Sequence, residues 1–78
     1  MGVYIPIRKV FEDEEAVIYE YGKGSVSLGK IRLSKSTGEM TLLDTSAAAT
    51  EFVWSRAKRK LELHHANGEY PDNTAWAA

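Results

Sequence analysis

An α+β fold is predicted: a four-stranded antiparallel β-meander over residues 1–44, then one C-terminal helix over 45–68 packed on one face of the sheet. Three observations predict it. Short apolar or aromatic runs punctuated by turn residues continue as far as residue 44. A proline-free stretch of good helix formers with a four-residue apolar repeat follows. That stretch closes on Asn67-Gly68, a pair suited to ending a helix. Residues 69–78 form a tail, and at 78 residues the chain has room for a single domain.

The first run, VYIPIRKVF (3–11), alternates Val3, Ile5 and Ile7 with Tyr4 and Arg8, as a half-buried strand does. Pro6 has no N–H to give to a ladder, so the strand is expected at a sheet edge, or paired only on the side where that donor is not needed. The acidic EDEE (12–15) makes a solvated turn. AVIYEYG (16–22), rich in β-branched and aromatic residues, is the second strand.

GKG (22–24) supplies glycines for a tight hairpin, and SVSLGKIRLSK (25–35) is a long third strand whose apolar phase slips midway. Val26 and Leu28 share one parity and Ile31 and Leu33 the other. A bulge near Gly29-Lys30 would return all four to a common face. STG (36–38) turns the chain into EMTLLD (39–44), the fourth strand. In the helix, Thr45 or Ser46 is suited to cap the first turn. Ala49, Val53, Ala57 and Leu61, widened by Phe52 and Trp54, form the stripe that meets the sheet.

Composition narrows the function classes. There is no cysteine for a disulfide or a thiolate metal site, and a chain this short buries only about 60% of its unfolded surface, so association with a partner is one route to added stability. Ten basic against eleven acidic residues give a net charge of −1, evenly spread, which argues against a polycationic nucleic-acid arm or a membrane-surface patch. No apolar run has the length of a membrane helix, and the N-terminus lacks a signal-peptide pattern, so a cytoplasmic location is expected. Pro6 stands where a myristoylation pattern needs Ser or Thr.

The stretch that most resembles an active site is LELHHANGEYPD (61–72), with His64 and His65 near Glu62, Glu69 and Asp72. Adjacent histidines on a helix project roughly 100° apart and do not converge on one ion. Their position in the last turn fits a helix-end role, since imidazoles there complement the negative pole of the helix dipole. No metal site, cofactor or catalytic constellation is expected. GKGSVSLGK (22–30) lacks the spacing of a phosphate loop and leads into a strand, and EDEE lacks the alternating ligands of a calcium loop.

Two binding surfaces are weighed instead. One helix covers one face of a four-stranded sheet, and aromatic residues occur on both parities, so Tyr4, Tyr19, Tyr21 and Trp76 are candidates for a second, partner-binding face. The reading that follows is a small non-catalytic binding or protein-interaction module, a homodimer or an accessory to a larger protein. The alternative is a nucleic-acid-binding module using Lys30, Arg32, Arg56, Lys58, Arg59 and Lys60 together with exposed tyrosines. Near-neutral charge favours the first.

Overall fold

The computed structural model describes residues 4–23, 26–45 and 51–77. The chain runs β1 (Tyr4–Glu12), β2 (Ala16–Lys23), β3 (Val26–Ser34), β4 (Met40–Thr45), α1 (Glu51–Ala66) and β5 (Asn73–Ala77). The first four strands form the antiparallel meander, with α1 packed on it. The tail adds a fifth strand beside β1, giving the order β4-β3-β2-β1-β5.

β1 is therefore an internal strand, not an edge. The Lys9 N–H donates to the Asp72 carbonyl on the β5 side at 2.8 Å. Because donors alternate sides along a strand, the Pro6 nitrogen faces β2, whose register with β1 begins only at Ile7↔Tyr21. The missing donor leaves the β5 ladder whole, and Pro6 still pairs with Ala75 there.

Three register shifts shape the sheet. In β3 the extra residue is Leu28, between the pairs Tyr21↔Gly29 and Gly22↔Ser27, one position before the glycine at which the apolar phase slips. It brings Leu28 into the core with Ile31 and Leu33. In β1 the extra residue is Val10, between Lys9↔Tyr19 and Phe11↔Ile18, and in β4 it is Leu43, between Lys30↔Asp44 and Ile31↔Leu42.

Both outer meander turns are closed by local hydrogen bonds. In the acidic turn Asp13 Oδ1 accepts the amides of Glu15 and Ala16 at 2.9 and 2.8 Å, which holds its carboxyl below the usual range. In the β3–β4 turn Gly38 takes φ +77° and its N–H donates to the Ser34 carbonyl. The β2–β3 turn falls at residues 24 and 25, outside the described ones.

The core is the face beneath the helix. Ile5, Ile7, Val17, Tyr19, Tyr21, Ile31 and Leu33 from the sheet meet Ala57 and Leu61 from α1, all essentially sealed from solvent. Each large side chain so buried stabilises the fold by about 1.5–3 kcal/mol relative to leaving it in water. Val53 and Trp54 of the expected stripe are half-buried against the same cluster. Thr45 is the last residue of β4, and its side chain lies outside the described residues. The other expected cap, Ser46, and the stripe residue Ala49 lie outside the described residues, as does the side chain of Phe52.

Candidate functional site

The histidine stretch ends the helix through a Schellman arrangement. Gly68 takes φ +71°, its N–H donates to the His65 carbonyl, and the Glu69 N–H donates to the His64 carbonyl, each at 3.0 Å. The two rings then part company. His64 Nε2 hydrogen-bonds Thr74 Oγ1 in β5 at 2.9 Å, whereas His65 Nδ1 bonds Tyr70 Oη at 3.0 Å. The His65 ring also lies against Gly38, where a Cβ would come within 2.9 Å of it. The histidines thus dock the tail strand and the β3–β4 turn onto the end of α1.

Around them is a polar cluster that joins both ends of the chain. Glu12 receives Lys9 on Oε1 and Lys35 on Oε2, each at 2.6 Å, and Lys9 also reaches Asp72 at 3.1 Å. Lys35 Nζ stands 5.2 Å from the Tyr70 ring centroid, and Tyr19 Oη donates to the Pro71 carbonyl at 2.7 Å. Hydrogen bonds from Lys35 and then Lys9 hold the Glu12 carboxyl down at about 2. Burial pushes the Tyr19 phenol up to about 12.

These shifts decide what the cluster does chemically. A carboxylate held that low keeps its charge and takes up no proton near neutrality, and a phenol held that high keeps its proton; both move away from the range of a general acid or base. Among the described residues no three His, Asp or Glu side chains converge as a metal site would require. The arrangement is built to hold β1, the β3–β4 turn and the tail in register. Sequence placed Glu12 in a solvated turn and Asp72 beside the histidines but did not join them to Lys9, Lys35 and Tyr70, since the bulge at Val10 brings Lys9 and Glu12 onto one face at a spacing no regular strand gives.

The four aromatic candidates do not form one surface. Tyr19 and Tyr21 are core residues, 1% and 0% exposed, and Trp76 is half-buried against the core. Tyr4 alone of the four is exposed, at 67%. The pair Ile7↔Tyr21 explains the difference: it places the odd-numbered residues of β1 and β2 on the same, helix-covered face. The opposite face carries Tyr4, Pro6, Arg8 and, past the Val10 bulge, Phe11 beside Ile18. Phe11 is 50% exposed and lies two strands from Arg32, with Ile18 between them, while Arg8 Nη2 donates to Glu20 Oε1 at 2.8 Å.

The six basic candidates divide between the two sides of the sheet. Lys30 and Arg32 alternate with the buried Ile31, so they lie on the open face. Arg56, Lys58, Arg59 and Lys60 belong to α1, on the other side. There Arg56 stands 5.7 Å from the Trp76 ring, Lys58 stands 5.8 Å from that of Trp54, and Arg59 approaches Glu62 at 3.9 Å.

Among the described residues no helix is long and apolar enough to cross a membrane. No family model, curated protein or solved structure matches the chain.

Proposed function

We propose that the protein is a small non-catalytic protein-interaction module of the cytoplasm, working as a homodimer or as an accessory to a larger protein. The observation that supports this is the sheet face that no described element covers. Phe11, half exposed, lies beside Ile18 across the β1–β2 pair, and Tyr4 stands 67% exposed on the same face. Apolar and aromatic side chains grouped on one face, rimmed by Arg8, Arg32 and Lys30, match the make-up of contact surfaces, in which aromatic residues and arginine are enriched.

Sedimentation of the wild type beside Phe11→Glu tests the reading. A charge at Phe11 is expected to weaken association while leaving the unfolding transition in place, because Phe11 is outside the core. Indistinguishable, fully monomeric behaviour of the two proteins would withdraw the support. The nucleic-acid alternative draws on basic residues of both sheet faces. For it, binding to single-stranded oligonucleotides must be detectable at low salt and fall steeply as salt rises.

A further inference from the structure

The geometry points to β5 as a self-pairing seam: we propose that two copies of the chain join antiparallel along their β5 strands, about a two-fold axis at Ala75. The inference rests on the homodimer form of the interaction reading above, but seats the second copy on a different surface, the β5 edge. Along β5, the Lys9 N–H bond to the Asp72 carbonyl fixes which groups turn inward. By alternation Thr74 and Trp76 direct their backbone donors and acceptors to β1, and Asn73, Ala75 and Ala77 direct theirs to the free edge.

Among the described residues, three of the usual protections are missing from that edge. Asn73–Ala77 contains no charge and no proline, and its register with β1 is unshifted from Tyr4↔Ala77 to Arg8↔Asn73. The other edge differs. β4 is bulged at Leu43 and includes an aspartate in its sequence, both of which discourage an added strand.

The strand is also held ready. His64 bonds Thr74, Tyr19 bonds the carbonyl of Pro71 just before it, and Arg56 stands over Trp76. A preformed edge loses little ordering entropy when a partner joins it.

A second copy fits this edge because the strand is complementary to itself. Antiparallel pairing about Ala75 sets Ala75 against Ala75 and Asn73 against Ala77, all small side chains, and Thr74 against Trp76 on the helix side. No like charges meet. Three pairs of outward residues would exchange about six backbone hydrogen bonds. The contact also limits itself: a two-fold pairing uses the β5 edge of both copies and leaves only the bulged β4 edges outermost, so it closes at a dimer.

Ala75→Pro tests the seam, because it deletes an outward donor and none that β1 accepts. In sedimentation across a concentration series, the wild type is expected to dimerise, and Ala75→Pro to raise the dissociation constant roughly 30-fold through loss of a donor in each copy. Hydrogen exchange on the unmodified chain gives a second readout, with the Ala75 amide gaining protection as protein concentration rises. Ala75→Lys, which leaves the backbone donor in place but sets two ammonium groups across the axis, should also weaken the dimer, most at low salt. A dimer that tolerates Ala75→Pro but is lost in Phe11→Glu would overturn the seam and keep the interaction reading on the sheet face. A chain that stays monomeric at every concentration, with an Ala75 amide that never gains protection, would overturn the seam and the homodimer form of the interaction reading, leaving only the accessory form.

Discussion

Beneath α1, Ile7, Tyr19, Tyr21, Ile31 and Leu33 are sealed from solvent, whereas on the opposite face of the same strands Tyr4 is 67% and Phe11 50% exposed. Both faces arise from one alternation, and both carry aromatic residues. The difference lies in what covers them. The helix face is closed by Ala57 and Leu61 from within the chain, so its side chains are committed to stability. The open face interleaves Arg8, Glu20, Lys30 and Arg32 with Tyr4, Phe11 and Ile18, a composition that water tolerates and a partner can use.

The sharpest test of that division is a matched pair of truncations. Leu61→Ala, at a fully buried position, is expected to cost about 2–5 kcal/mol, the sum of lost transfer energy and the cavity left behind. Phe11→Ala should cost no more than about 0.5 kcal/mol in the folding of the isolated chain. Denaturant melts of the two variants measure both. Comparable losses would mean that the open face is a second core and would dissolve the comparison.

A smaller effect separates two glycines of the same backbone type. Gly38 and Gly68 both lie at positive φ, but a Cβ at Gly38 meets the His65 ring at 2.9 Å while one at Gly68 meets nothing within 4 Å. Gly68→Ala should therefore cost about 1 kcal/mol for the left-handed backbone alone. Gly38→Ala adds displacement of His65 from its Tyr70 bond and is expected to cost more, about 2–3 kcal/mol. Equal melting temperatures would show that His65 moves aside freely and that the helix end is not seated on the β3–β4 turn.

Much of this was legible in the sequence, for reasons that particular residues make plain. The meander is announced by its turns, and the apolar slip between Leu28 and Ile31 marks a bulge because only an inserted residue returns both to one face. Asn67-Gly68 marks the helix end because few other residues accept positive φ there. Inter-strand phase is another matter. Alternation fixes the faces within β1 and within β2, but nothing local says whether Tyr21 pairs with Ile7 or with its neighbour, so Tyr19 and Tyr21 read equally well as surface or core. NTAWA is too short and too rich in alanine to announce β5; it is a strand because His64, Tyr19 and β1 hold it there.

The histidines sharpen the comparison at about 1 kcal/mol. Replacing His64 and His65 together with Gln keeps a hydrogen-bonding side chain at each position but loses the ring contact of His65 with Tyr70, whose centroids are 6.2 Å apart. A loss near that size, with α1 intact by circular dichroism and no rise in melting temperature on adding zinc to either protein, is expected of docking groups. A zinc-dependent rise in melting temperature that disappears in the double variant would make the pair a metal site instead.

The smallest effect expected is visible only against pH. Lys35 and Lys9 lower the Glu12 carboxyl from its ordinary 4.5 to about 2. A carboxyl depressed by folding favours the folded state in full above 4.5, and that contribution is lost as pH falls through about 2. Stability of the wild type should therefore decline across this interval. In Glu12→Gln the decline should be shallower but not absent, because Asp13, held low by the amides of Ala16 and Glu15, still titrates there. Denaturant midpoints measured at steps between pH 5 and pH 2, a span of about three units around these pKa values, make the comparison. Parallel wild-type and variant curves would show that the two lysines do not hold Glu12 in solution, and that the tail is kept on the sheet by Tyr19, His64 and the β1 ladder without the ionic cluster.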